Sequence, residues 1–256
     1  MHTGPEEDAG MATNRIAIVV GVGPEAGLGG ALCKRFGREG LHVFVAGRTA
    51  TRIEAIATIV RDAGGQATAH RCDTTVEGDI VALFDAAARA AGGAPPEIVA
   101  YNAGNNRMAN LVEMEASFFE DTWRVACFGG FLVGREAARR MAPAGRGSLL
   151  FTGATGSLRG KPPFTAFASA KAGLRALAQA MAREFGPQGI HVAHVIVDGG
   201  IDGERLRKFI PAFVESKGEE GLLKPEAIAD AYWFPHTQDR TAWTHELDLC
   251  PFRESF

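Results

Sequence analysis

Short apolar runs alternate along the chain with longer stretches whose apolar positions recur every three to four residues. Residues 16–22 are apolar and end in glycines, which predicts a strand buried on both faces. Residues 27–39 follow, with Leu28, Ala31, Leu32 and Phe36 at helical spacing and Gly40 as a stop. The same reading predicts strands over 42–46, 68–71, 98–101, 148–152 and 190–197. It predicts helices over 51–63, 79–91, 118–141 and 167–185, several closed by Gly-Gly or Gly-Pro. Residues 242–249 read as a final strand at the sheet edge. Strands alternating with helices predict βαβ units, a parallel sheet and one doubly wound α/β domain.

Two stretches break the rhythm. Residues 1–13 are polar, acidic and aperiodic, which predicts a disordered tail ahead of a domain over 14–256. Residues 201–226 are charged, Gly/Pro-punctuated and weakly periodic, which predicts one or two short helices forming a lid-like insertion.

Composition narrows the class. With 46% apolar and 22% charged residues, the chain has the balance of a soluble globule. A net charge of −3 offers no electrostatic footprint for nucleic acid. The apolar runs are far shorter than the ~20 residues that span a bilayer, so no membrane association is expected. The acidic start lacks the basic and apolar regions of a signal peptide. The four cysteines, Cys33, Cys72, Cys127 and Cys250, are scattered, as expected of free thiols in a reducing, cytoplasmic setting. One asymmetry stands out: sixteen Phe but only two Tyr, Tyr101 and Tyr232.

The first candidate chemistry is the glycine cluster Gly21-Val22-Gly23-Pro24-Glu25-Ala26-Gly27-Leu28-Gly29, between the first strand and the first helix. Such a turn lets a backbone approach closely and offers helix N-terminal N–H groups to a pyrophosphate. The same glycines also serve a purely steric turn. Pro24 removes one N–H donor, and Glu25 is tolerable beside a pyrophosphate only if it points to water. At the end of the second strand, where a carboxylate would select NAD, the chain reads Val45-Ala46-Gly47-Arg48-Thr49. Arg48 presents a planar fork of donors to a 2′-phosphate, its alternative being a solvated strand-end arginine. NADP(H) is the expected cofactor, with NAD(H) as the alternative.

The glycine spacing G-x-x-x-G-x-G, formed by Gly23, Gly27 and Gly29, resembles that of the short-chain dehydrogenase/reductase family. Tyr101-Asn102-Ala103-Gly104 looks like the family's N-N-A-G, and Phe167-Ala168-Ser169-Ala170-Lys171 sits where the family has Y-x-x-x-K. The resemblance runs from about residue 14 to about 250 and implies a Rossmann-like doubly wound parallel sheet in a single domain. It implies that Gly23, Gly27, Leu28, Gly29, Asn102, Ala103 and Gly104 cradle the dinucleotide. It further implies that Asp73 contacts the adenine and Lys171 the nicotinamide ribose.

The family's chemistry uses a Tyr to transfer a proton, a Ser to polarise the carbonyl and an Asn to hold a water. By that resemblance Phe167 stands at the Tyr position, Ala154 at the Ser position and Ala126 at the Asn position. None carries an exchangeable side-chain proton. Four residues are candidate substitutes. Tyr101 ends the fourth strand, its alternative being a packing role. Thr155 could polarise a carbonyl or serve as a turn hydroxyl. Asp198 lies at the carboxyl edge of the sheet and either meets substrate or caps the next segment. Lys171 could deliver a proton only if burial lowered its pKa. Ser169 faces away from Phe167 on a helix, and His191 and His194 fall on opposite sides of a strand, so no metal is assigned. The expected function is an NADP(H)-dependent oxidoreductase on a small carbonyl or alcohol with non-standard proton handling. The alternative is a cofactor-binding homologue without redox chemistry, acting as a sensor or partner subunit. Phe128, Phe131, Leu174, Leu177 and Met181 on the two long helices, with the family's habit of pairing them, predict a homo-oligomer, a dimer or homotetramer.

Overall fold

A computed structural model describes residues 15–104 and 106–253; the tail expected over 1–13 lies outside them. The sheet has seven parallel strands in the order β3-β2-β1-β4-β5-β6-β7. These are β1 (Ile16–Val20), β2 (His42–Gly47), β3 (Gln66–Arg71), β4 (Ile98–Tyr101), β5 (Gly147–Thr152), β6 (Ile190–Val197) and β7 (Glu246–Leu249). The doubly wound α/β class and the edge position of the last strand are as the sequence predicts.

Every residue of β1 and β6 is buried, because helices cover both faces of the sheet. Successive side chains alternate between two cores. Ile18, Val20, Val99, Tyr101, Leu149 and Phe151 fall on one face. Val19, Val43, Val45, Ala100, Leu150 and Val195 fall on the other. The first face is covered by α3 (Glu77–Ala90), α5 (Gly129–Met141) and α7 (Thr165–Phe185). The second is covered by α1 (Leu28–Arg38), α2 (Ala50–Asp62) and α10 (Pro225–Thr237). The strand order reverses between β1 and β4, which opens a crevice at their carboxyl ends, where open α/β sheets bind ligands.

Two elements differ from the sequence reading, the helix expected over 118–141 and α10, while the 201–226 insertion holds two short helices as expected. The helix expected over 118–141 is divided: α4 (Ala116–Trp123) is followed by a π-helical turn at Arg124–Phe128 and then α5. The buried Tyr101 hydroxyl donates to the Val125 carbonyl within this turn. The insertion over 201–226 contains α8 (Glu204–Phe209) and α9 (Pro211–Lys217), closed at its base by a bridge between Ile201 and Leu223. Helix α10 was not expected; Ile228, Ala229 and Tyr232 pack it into the second core. Its one sequence signal is Pro225 followed by Glu226, a helix start. Leu174 and Met181, expected to face a partner, lie in the first core, whereas Phe131 remains 38% exposed. Among the described residues no helix is long and apolar enough to cross a membrane.

Candidate active site

The crevice is built first from the glycine turn. Gly21 has φ +91°, and a Cβ there would sit 2.4 Å from the Ala103 amide nitrogen, so β1 and β4 close only around a glycine. A Cβ on Gly29 would lie 2.9 Å from Val22 Cα, so the turn folds back on the start of α1. Helix α1 begins at Leu28 with no side chain capping its first N–H groups. Glu25 is exposed to solvent. These features fit a pyrophosphate at the helix N-terminus.

A second cluster lies at the ends of β2 and β3. Asp73 accepts hydrogen bonds from the Thr75 N–H and hydroxyl at 2.9 and 2.8 Å. Burial pushes this carboxyl up, but the two Thr75 bonds and the charges of Arg48 and Arg71 outweigh it and hold it below its usual value. Arg48 is exposed and electrostatically coupled to Asp73, so the two candidate adenosine contacts share one end of the crevice.

The centre of the site joins β4, β5 and α7. Thr152 Oγ1 donates to Asn102 Oδ1 at 3.2 Å, and Asn102 Nδ2 donates to the Gly21 carbonyl at 3.3 Å. Tyr232, fully buried, places its Oη 2.6 Å from Thr152 Oγ1, so the two hydroxyls share one hydrogen bond. Lys171 is 3% exposed, and its Nζ donates to the Thr152 carbonyl at 2.8 Å. Burial lowers the Lys171 pKa to about 8, opposed by the Cys127 thiol. A Cβ on Gly104 would lie 3.3 Å from Nζ, which places the Asn102–Gly104 segment over the ammonium.

Phe167 lies one helical turn before Lys171, its ring centre 5.8 Å from Nζ. The ring also abuts Gly156, where a Cβ would be 3.3 Å from Phe167 Cδ1. Ala154 donates its N–H to Ser157 Oγ at 3.1 Å, and Ala126 is fully buried in the π turn. Ser169 is exposed.

Two of the sequence-identified substitutes meet. Thr155 Oγ1 donates to Asp198 Oδ1 at 2.6 Å, and Asp198 is only 2% exposed. Arg159, which the sequence reading did not identify, donates to both Asp198 oxygens at 3.0 and 3.3 Å. Asp198 therefore bonds across the cleft and does not cap the next helix, whose N-cap is Gly203. Tyr101 is fully buried, burial raises its pKa, and its hydroxyl donates to the Val125 carbonyl. Among the described residues, no group of three or more His, Cys, Asp or Glu is arranged to hold a metal.

Residues 15–210 match the family model for short chain dehydrogenases. The chain is 34% identical over 223 residues to an uncharacterized oxidoreductase, YuxG, of Bacillus subtilis. That match covers 86% of this chain but 32% of the relative, so the chain spans about a third of its length. Momilactone A synthase of Oryza sativa subsp. japonica is 29% identical, with 91% of this chain and 86% of that one covered. Among solved structures, a short-chain dehydrogenase from Rhodopseudomonas palustris is 37% identical with a TM-score of 0.78, covering 94% of this chain and 99% of that one. An actinorhodin polyketide ketoreductase variant with NADPH has a TM-score of 0.84 at 22% identity, covering 93% and 96%, a likeness of fold.

Proposed function

The chain belongs to the short-chain dehydrogenase family, and from that premise we propose an oxidoreductase that prefers NADP(H) and acts on a small carbonyl or alcohol. The observation that carries this reading is the buried Lys171 ammonium, which lies against Gly104 beyond the end of β4 with one of its three N–H groups bound, to Thr152. A buried cation is costly without partners, and ribose hydroxyls would supply them. NAD(H) is the weaker cofactor in this reading.

The residues present fit the dinucleotide. Gly23, Gly27, Leu28 and Gly29 would hold the pyrophosphate, Arg48 the 2′-phosphate and Asp73 the adenine. Asn102, Ala103 and Gly104 would line the sheet edge beside it, and Lys171 would hold the nicotinamide ribose. The nicotinamide supplies or takes up hydride when bound. NADPH in the ketoreductase neighbour and NADP in a metagenomic oxidoreductase neighbour are in keeping with the preference.

Phe167, Ala154 and Ala126 replace the family's Tyr, Ser and Asn, so the usual proton route is missing. The proton of Thr155 is committed to Asp198; the threonine therefore presents lone pairs to the cleft and orients a substrate hydroxyl. Asp198, held by Arg159, fixes that orientation. The segment 201–226 acts as a lid, tethered to the cofactor turn by the Glu204 N–H on the Ala26 carbonyl at 2.8 Å. A dimer or tetramer would bury the exposed Phe131 and Trp123, 38% and 39% accessible; sedimentation as a monomer would remove that part.

A screen of carbonyls and alcohols with both cofactors, alongside fluorescence titration of each, tests the reading. NADPH binding tighter than NADH, with turnover of at least one substrate, is expected. Tight NADPH binding with no turnover anywhere would overturn the enzymatic reading and leave a cofactor-binding protein.

A further inference from the structure

We propose that Lys171 is itself the proton donor to the substrate oxygen, taking over the role of the side chain missing at position 167. This rests on the oxidoreductase reading above and adds the identity of the acid.

The structure removes the alternatives one at a time. The Tyr101 proton is given to Val125, and Tyr232 is fully buried in the second core with its hydroxyl engaged by Thr152. The Thr155 proton is given to Asp198. Ser157 is buried, with Oγ accepting from the Ala154 N–H and lying 3.4 Å from His194 Nε2. Cys127 is 8% exposed and packed against Gly173, where a Cβ would lie 2.9 Å from its Sγ; burial raises the thiol pKa and retains its proton. Phe167, Ala154 and Ala126 have no side-chain proton to give. Among the described residues that bear on Phe167 and the Asn102–Gly104 segment, Lys171 is left holding protons without acceptors.

The three N–H groups of Lys171 divide naturally. One is bound to the Thr152 carbonyl; a second would hold the ribose; the third is free for substrate. The Phe167 ring beside Nζ offers no hydrogen bond to compete for it. The groups acting on the ammonium are few. Cys127 faces it from the π turn, and His194 from β6 is itself neutral, its pKa lowered to about 4 by burial. From β5 it meets a backbone carbonyl, and no carboxylate among the described residues pairs with it. Desolvation brings its pKa to about 8, near the operating range that suits a general acid.

In the reduction direction, hydride reaches the carbonyl carbon and the C=O π pair moves onto oxygen. One N–H bond of Lys171 then breaks, its electron pair staying on nitrogen, and an O–H bond forms on the substrate. The ammonium becomes a neutral amine, which water reprotonates between turnovers. In oxidation, the neutral amine takes the alcohol proton.

The test combines one titration with two variants. The ¹⁵N shift of Lys171 Nζ in the cofactor-free protein is expected to titrate near 8; a midpoint at the ordinary lysine value of about 10.4 would overturn the proposal. Lys171→Arg keeps a permanent cation that cannot release a proton. With NADPH held at saturation by its own titration, the variant should lose about 10²-fold or more in kcat for carbonyl reduction and lose the fall in rate above pH 8. Adding Phe167→Tyr to that variant should restore activity. Turnover of Lys171→Arg within a few-fold of wild type, with the pH profile unchanged, would overturn the proposal alone. Absence of any turnover in wild type would instead remove the oxidoreductase reading and this inference with it.

Discussion

Replacing Tyr101 with Phe separates a structural tyrosine from a catalytic one. The ring stays in a site that is fully buried, between Phe151 and the π turn. What disappears is the hydroxyl that satisfies the Val125 carbonyl. Leaving a polar group unsatisfied in the interior costs about 1–3 kcal/mol. For a domain of this size each kcal/mol moves Tm by about 2–4 °C, so a drop of about 2–12 °C is expected. The companion change Gly129→Ala places a methyl 2.5 Å from Tyr101 Oη and 2.9 Å from Thr74 Cβ, an overpacking cost of about 1–3 kcal/mol. Because Tyr101→Phe removes the nearest clash, the two costs should not add, and the coupling should reach at least about 0.5 kcal/mol. Urea unfolding of the four proteins measures the cycle, and NADPH titration with turnover measures function. Tyr101→Phe should leave both functional readouts unchanged under folded conditions. A variant of wild-type stability that had lost turnover would refute this reasoning and return Tyr101 to the mechanism.

Other consequences are open to measurement. Arg48→Ala should weaken NADPH by about tenfold, the scale of one charge-assisted hydrogen bond, while NADH binding changes less than twofold; equal losses for both would place Arg48 outside the 2′-phosphate site. Thr155→Val and Asp198→Asn interrupt one 2.6 Å bond, so each should lower kcat/KM and the double variant should be little worse than either single one. Fully additive losses would show that they act separately. His194 is buried and neutral, its pKa lowered from 6.5 to about 4 chiefly by desolvation, with Glu246 opposing. The unfolded state therefore binds a proton in this window that the folded state does not, so stability is complete above about pH 6.5 and falls towards pH 4, by about 3 kcal/mol. His194→Asn should flatten that slope in urea titrations at stepped pH, and an unchanged slope would assign it elsewhere.

The legibility of the chain follows from where each residue's environment comes from. Strands such as 16–20 and 190–197 are readable because burial on both faces demands continuous apolar runs. The glycine turn is readable because its backbone tolerates no Cβ at Gly21 and Gly29. The π turn is not readable, because the hydroxyl that meets its Val125 carbonyl comes from Tyr101, more than twenty residues upstream. Helix α10 is hidden by Pro235 within it and by an apolar face that makes sense only against α1. At the site, the spacing of Phe167 and Lys171 is local and therefore visible. The pairing of Thr155 with Asp198 joins the segments that follow β5 and β6, more than forty residues apart, so both residues could be named but not joined. Arg159 and Tyr232 carry no motif; contacts made by the fold alone bring them in.

In the proposed reading this cleft would hold NADP(H) and move hydride with Phe167, rather than a tyrosine, one turn before Lys171. The most direct test of that reading uses NADPH deuterated at the transferable C4 position, mixed with wild-type protein and a carbonyl panel, with products read by mass spectrometry. The account predicts deuterium on the former carbonyl carbon of at least one product, one equivalent per NADPH consumed. NADPH that binds and stays unconsumed by every carbonyl, or fails to bind at all, would contradict it.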